Sequence, residues 1–541
     1  MIASETETVY AAFAASATRW PGREMLNILP ETAAIYGIGA GALTYEAAVR
    51  EVDALAAALG AAGYGNGHRV MLLLENRPAF FLWWLALNRL GAAVVPVNPD
   101  LREAELTYMI GHAEPVLAVV LPDRVRGLAD AAEKAGLEMP VIAPGDDLPR
   151  PRDNARIALR DGSPANAEAA LLYTSGTTGQ PKGCVLTNTY FLMAGRWYAE
   201  AGGLCALGDD GERMITPLPI FHMNAMAYSF MAMIAVGGCL TVLDRFHPRS
   251  WWASVRDSGA TCLHYLGVMP SMLMGAEPSD ADRAHTVRFG FGAGVDPKLH
   301  AAFEERFGFP LVEAWAMTET GAGAVICANR VPRRVGESCL GRPGPELEIR
   351  IVDEAGKDSG GAPGELLVRH AGDDPRRGFF AEYFKNPEAT GEAWDGGWFH
   401  TGDVVRQEPD GSIFFVDRKK NVIRRSGENI AAVEVESTLM RHPAIKAAAV
   451  AAVPDAVRGD EVFACLVVNG EGTPELAREI SNWCLTQLAY YKAPGFIAFV
   501  EALPLTATQK IQRGVLKTLA AELVDDPATV DLRHLKKRSA A

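Results

Sequence analysis

Paired cysteines are the first absence. Eight cysteines (Cys184, Cys205, Cys239, Cys262, Cys327, Cys339, Cys465 and Cys484) are scattered with no C-x-x-C among them, which argues against a zinc site and against a disulfide-stapled secreted scaffold. They read as buried thiols in a reducing compartment. Positive charge is also scarce. Lys and Arg number 52 against 66 Asp and Glu, a formal net charge of -14. Such a field repels phosphodiester polymers and anionic membranes, so nucleic acid is excluded as an expected partner, and an anionic ligand needs a locally positive pocket. Nor is a membrane-spanning segment expected, although the stretch Met214 to Leu243 carries no Asp, Glu, Lys or Arg. The opening MIASETETVYAAFAAS carries acids where a secretory signal needs positive charge. The expectation is a cytoplasmic protein without stable membrane insertion. No repeat of solenoid period and no long low-complexity tract occurs.

What is present suits a large globular chain. With 541 residues, 49% hydrophobic and 22% charged, the length prior gives roughly three or four units of ordinary size. LTYEAAVREVDALAAALGAAG has the spacing of an amphipathic helix ending at glycine, RVMLLLEN that of a buried strand, and a second helix precedes AAVVPVNP. Helix and strand in alternation imply mostly parallel sheets covered by helices. From Gly341 the texture changes to short strands and turns, as in ELEIRIVDEAGKDSGGAPGELLVR, the mark of a small β-rich subdomain. After SIFFVDRKKNVIRRSGENI the pattern turns mixed: VEVESTLMRHP as helix, IKAAAVAAVPD and EVFACLVVNG as strands, ELAREISNWCLTQL as helix. The expected organisation is α/β: a large N-terminal domain of several subdomains over 1–416 and a mobile α+β C-terminal domain over 417–541. The basic run Lys536 to Arg538 reads as a solvated tail.

YTSGTTGQPKG, Tyr173 to Gly183, concentrates hydroxyls, glycines and a lysine. Successive glycines and hydroxyls let backbone N–H groups converge on an anion while Lys182 supplies a point charge, so the stretch is a phosphate cradle in principle. It is not the G-x-x-x-x-G-K-[ST] loop of nucleoside triphosphatases, because Pro181 stands five after Gly176 and Gly183 follows Lys182.

Taken whole, YTSGTTGQPKG resembles the phosphate loop of the adenylate-forming superfamily of acyl-CoA synthetases, luciferases and peptide-synthetase adenylation domains. Other stretches match the family's motifs in order: AWAMTET (Ala314 to Thr320), WFHTGD (Trp398 to Asp403), the hinge VDRKKNVIRRSGENI and the C-terminal lysine motif LPLTATQKIQR. The hinge and tail look closest to crotonobetaine/carnitine-type acyl-CoA ligases.

The resemblance implies an ATP-dependent, AMP-forming acyl-CoA ligase. A carboxylic acid and ATP would give acyl-AMP and pyrophosphate, and coenzyme A would then give acyl-CoA and AMP. The same resemblance leaves two alternatives: an acyl-adenylate ligase that loads a carrier protein, and a non-catalytic nucleotide-binding regulator. It assigns pyrophosphate departure to Thr174, Ser175, Gly176, Thr177, Thr178, Gly179 and Lys182, and the α-phosphate region to Thr318. Glu319 would be the Mg2+ ligand, as one carboxylate plus ATP oxygens suffices for that ion. The ATP site would be completed by Gly292, Ala293 and Gly294 in FGFGAGV, by Glu313, Ala314, Trp315, Ala316 and Met317, with Trp315 flanking adenine, and by Asp403 and Arg418 on the ribose. Lys510 would be the mobile catalytic lysine and Lys420 the hinge. Gly427 would face the pantetheine channel, and His222 in FHMNA would gate it. Departures from the family pattern are Trp315 for Tyr, Ala316 for Gly, Asn421 for an acid and Gln509 for Gly. Trp197, Tyr198, Tyr228 and Tyr265 are candidates for an aromatic cage around a quaternary ammonium acid.

Overall fold

The helix Tyr45–Ala62 forms where the sequence pattern places it. Its start is fixed by Thr44, whose side chain accepts from the Ala47 amide at 3.2 Å. Gly63, at φ 102°, takes the left-handed conformation that ends it. Tyr45, Ala48, Val52, Ala56 and Leu59 make the buried stripe at helical spacing. The next strand, Arg69–Leu73, is buried along its whole length. It lies parallel between Ala93–Pro96 and Leu117–Val120, which is why it is apolar without alternation.

In this computed structural model, residues 7–151, 162–174, 180–353, 355–418, 422–504, 511 and 513–537 are described. The chain divides into two compact units. One comprises Met1–Pro99, Ile110–Leu172 and Gly183–Asp417, the other Asp100–Met109, Tyr173–Lys182 and Arg418–Ala541.

The first unit carries a 7-stranded sheet and a 13-stranded path of paired strands. Along the latter, strands Arg213–Thr216, Cys262–Leu266, Phe289–Ala293 and Leu311–Trp315 run parallel. The β-rich segment after Gly341 is not a separate sheet. Leu311–Trp315 pairs antiparallel with Ile326–Cys327, which pairs with Cys339–Pro343, and that strand with Ile413–Arg418. The parallel core and the antiparallel extension therefore share one hydrogen-bonded path. This carries Phe399–Gln407 into the same sheet as Leu311–Trp315.

The second unit has a 6-stranded sheet built on the long antiparallel pair Ile445–Asp455 and Gly459–Val468. The helix Pro474–Gln487 starts on Thr473, which accepts from Leu476 N at 3.2 Å, with proline in the first turn. One sequence expectation is corrected here. Lys536 does not sit in a solvated tail; its side chain is fully buried and paired with Glu461, because the chain from Val530 onward is tied back into the sheet. Arg538 lies outside the described residues. No helix among the described residues is long and apolar enough to cross a membrane.

Candidate active site

Strand Phe289–Ala293 ends in the turn Gly294–Val295, and a neighbouring carboxylate holds that turn open. Glu313 Oε1 accepts from Gly294 N at 2.9 Å and from Val295 N at 3.0 Å. Burial pushes the Glu313 carboxyl above the usual carboxylate range, against the pull of those two amides. Gly292 is required by space: a Cβ there would stand 2.1 Å from the carbonyl oxygen of Tyr265 on the adjoining strand.

The next parallel strand, Leu311–Trp315, runs out into Ala316, Met317, Thr318 and Glu319. Three tyrosines pin this loop. Tyr190 Oη donates to Thr318 O at 2.9 Å, Tyr228 Oη to Gly321 O at 2.9 Å, and Tyr383 Oη to Glu319 Oε1 at 2.9 Å. The loop also closes on itself, Met317 N donating to Thr320 Oγ1 at 2.9 Å. Glu319 is buried, and its carbonyl accepts from Phe380 N at 2.8 Å. The loop is fixed before any ligand arrives.

Asp403 enters from strand Phe399–Gln407, is fully buried, and its Oδ2 accepts from the indole Nε1 of Trp315 at 2.8 Å. Thr401 Oγ1 accepts the Asp403 amide at 3.0 Å and donates to Leu366 O at 2.7 Å. The departure from tyrosine at 315 thus supplies an N–H aimed at the carboxylate, a use the sequence did not suggest. Each carboxylate oxygen carries two lone pairs, so Asp403 keeps acceptor capacity beside this bond.

Thr174 ends the strand Glu168–Thr174 and Lys182 begins the strand Lys182–Thr187. The glycine-hydroxyl stretch therefore joins strand to strand, whereas the nucleoside-triphosphatase loop opens a helix. Ser175, Gly176, Thr177, Thr178 and Gly179 lie outside the described residues, as do Lys420, Asn421, Gln509, Lys510 and the Arg418 side chain. Gly427, at φ 88°, stands in the hairpin turn between Val422–Arg425 and Glu428–Ala431.

His222 precedes a π-helical segment, Asn224–Phe230, and its ring lies 4.7 Å from that of Phe221. π-Helical turns concentrate at functional sites. Behind this segment stands a residue the sequence analysis missed. His264 is fully buried on strand Cys262–Leu266. Its Nδ1 is 2.7 Å from Asn224 Oδ1 and 2.8 Å from Ser229 Oγ, and its Nε2 is 3.0 Å from Tyr198 Oη. Burial pulls its pKa down to about 3, so the ring is neutral. The available signal was weak: a histidine within an apolar strand run.

Of the cage candidates, Trp197, Tyr198 and Tyr228 meet around Phe291, at ring separations of 6.2, 4.6 and 6.4 Å. Tyr265 instead packs over Gly290 and Gly292. The hydroxyls of Tyr198 and Tyr228 are committed to His264 and Gly321 and both rings are buried core, while Trp197 is partly buried at its edge.

Among the described residues no group of three or more His, Cys, Asp or Glu side chains is arranged to hold a metal ion. One buried carboxylate, with Oε1 oriented by the Tyr383 hydroxyl, does fit a hard cation that takes its remaining oxygens from a nucleotide and water.

Loops at the carboxyl ends of parallel strands, offering a glycine turn and the oriented Glu319 carboxylate, with the Asp403 carboxylate held on Trp315 from an antiparallel strand of the same sheet, define an α/β enzyme that handles a polar ligand at its strand ends. Its family follows from comparison with known proteins. The AMP-binding enzyme model matches residues 13–373 and the AMP-binding enzyme C-terminal domain model residues 434–510, and the chain belongs to this family. It is 31% identical over 470 residues to a crotonobetaine/carnitine--CoA ligase of Escherichia fergusonii, covering 84% of this chain and 89% of that protein. It is also 31% identical over 520 residues to a sulfoacetate--CoA ligase of Cupriavidus necator, covering 94% and 97%. Among solved structures, a malonyl-CoA ligase with methylmalonyl-CoA and AMP bound superposes with a TM-score of 0.72 at 27% identity, over 89% of this chain and 96% of that one.

Proposed function

We propose that this protein is an ATP-dependent, AMP-forming acyl-CoA ligase. A carboxylate oxygen of the acid attacks the α-phosphorus of ATP and pyrophosphate leaves, giving acyl-AMP. The thiol sulfur of coenzyme A then attacks the acyl carbon, AMP leaves and the thiol proton goes to solvent. The observation that carries this reading is the preset Thr318–Glu319 loop in the same sheet as Asp403, in a chain similar over most of its length to CoA ligases.

Within it, Thr174, Ser175, Gly176, Thr177, Thr178, Gly179 and Lys182 hold the leaving pyrophosphate, where fixed N–H groups and a cation stabilise developing charge. Thr318 orients the α-phosphate. Asp403, aligned by Trp315, accepts from the ribose hydroxyls together with Arg418, and Gly292, Ala293 and Gly294 allow the close approach of adenine and the acyl group. Glu319 would hold Mg2+, which when bound supplies positive charge against the phosphates. Lys510 bridges the acid and the α-phosphate in the first half-reaction. Residues 417–541 act as a lid that turns about Lys420 to bring Gly427 to the pantetheine arm, past His222. Eight buried free thiols suit a reducing compartment, the cytoplasm.

The test is carboxylate-dependent exchange of pyrophosphate into ATP across a panel of acids, followed by CoA-dependent AMP release. Exchange with at least one acid, strongly slowed in Lys510→Ala, is the expected result. No exchange with any acid overturns the ligase assignment; product formed only on a pantetheinylated carrier protein overturns coenzyme A as acceptor.

A further inference from the structure

The second unit encloses a group of charges that none of the steps above uses. Arg425 ends the strand Val422–Arg425, and the chain returns as Glu428–Ala431 through a turn of only two residues, Ser426 at φ 51° and Gly427 at φ 88°. Two successive left-handed residues are the geometry of a tight hairpin turn. The Arg425 side chain, 2% exposed, folds inward, and its Nε donates to Glu461 Oε2 at 2.8 Å. The other Glu461 oxygen accepts from Val462 N at 2.8 Å and from the Lys536 ammonium. Lys536 comes from the last described turn of the chain, just past Arg533–Leu535.

Space has been made for this arrangement. A Cβ on Gly495 would stand 2.5 Å from Glu461 Cγ and Cδ, and the Gly495 carbonyl accepts from Leu532 N at 2.8 Å. The carboxylate and the returning tail thus share one glycine. The far side of the turn is held by Ser426 N donating to Arg458 O at 2.8 Å.

Stability alone is a poor reason for such a cluster. Removing charges from water is costly, and apolar side chains of similar volume often serve as well. Here two cations share one carboxylate, and Arg425 Nη2 is buried without a hydrogen-bond partner among the described residues. Burial, opposed by Glu461 and helped by Arg425 and Arg458, pulls the Lys536 ammonium down to about 7. What the cluster does provide is direction. A planar guanidinium gripped by a fixed carboxylate sets the exit angle of the strand that leads into Ser426 and Gly427.

We infer that Lys536, acting through Glu461 and Arg425, is a positioning residue for the Ser426–Gly427 turn, and so serves thiol transfer rather than adenylation. This rests on the assignment of that turn to the pantetheine arm given above. Loss of Lys536 frees Glu461 to shift toward the vacated volume, Arg425 follows it, and the turn loses its fixed aim.

The test separates the half-reactions in Lys536→Met, which keeps the apolar stem and removes the charge. Pyrophosphate exchange is expected within about twofold of wild type, while kcat/KM for coenzyme A falls on the order of tenfold. Equal loss in both half-reactions, or no loss in the second, overturns the inference. Hydrogen exchange without ligands keeps the test valid if the activity change is small: the 422–431 segment should take up deuterium faster in Lys536→Met while 474–487 does not, and unchanged uptake at 422–431 also overturns it. Gly427→Leu isolates the underlying assignment. If it leaves thioester formation intact, the turn does not serve coenzyme A; if it blocks that step while Lys536→Met does not, only the role of Lys536 fails.

Discussion

The indole nitrogen of Trp315 donates to Asp403 Oδ2 at 2.8 Å between two buried side chains 88 residues apart in sequence. A hydrogen bond to a buried carboxylate is worth more than one between neutral groups, and its loss leaves the acceptor short of a partner. Trp315→Phe keeps the ring and removes the N–H. KM for ATP in the exchange assay should rise on the order of tenfold with the fold retained. An unchanged KM means that Asp403 does not need this alignment.

Tyr383 performs the same service for Glu319. Tyr383→Phe deletes one oxygen and leaves Glu319 Oε1 without that donor. The exchange rate should drop about tenfold, with a higher Mg2+ concentration needed for half-maximal rate. A lower rate at an unaltered Mg2+ requirement would separate Tyr383 from metal binding.

His264 makes stability depend on pH. Its folded pKa is lowered by burial from 6.5 to about 3. The unfolded chain therefore takes up a proton below 6.5 that the folded chain does not, so this contribution is fully present above about 6.5 and is lost as the pH falls toward 3. Urea midpoints measured from pH 8 to pH 4.5 should decline more for wild type than for His264→Gln. Parallel declines would assign the acid sensitivity elsewhere.

Gly292 has no room for a side chain, since the opposing atom is a backbone oxygen at 2.1 Å from an added Cβ. Gly292→Ala should destabilise the first unit by about 3 kcal/mol, the upper end for overpacking, because two sheet strands must part. A thermal melt within a degree or two of wild type would contradict that.

The residues that could be read in advance are contiguous ones. Gly292 to Gly294, and Thr318 with Glu319, lie within short motifs, and the structure sets them at the ends of adjacent parallel strands. The helix Tyr45–Ala62 was legible for a similar reason: its spacing and its glycine stop are local. Lys536 was misread because a basic run near a chain end looks the same whether it is solvated or folded back onto Glu461. His264 was missed because its partners Tyr198, Asn224 and Ser229 come from two other elements at no fixed spacing.

The sequence by itself determined the alternation of helix and strand, the strand-end glycines and the family's reaction, since each is written in neighbouring residues through backbone propensity, periodicity and motif order. Only the tertiary structure decided which side chains hold which buried polar groups: Trp315 on Asp403, Tyr383 on Glu319, Asn224 and Ser229 on His264, Lys536 on Glu461. Those pairings depend on sheet register and on burial that removes competing water, and neither quantity exists until the strands are packed.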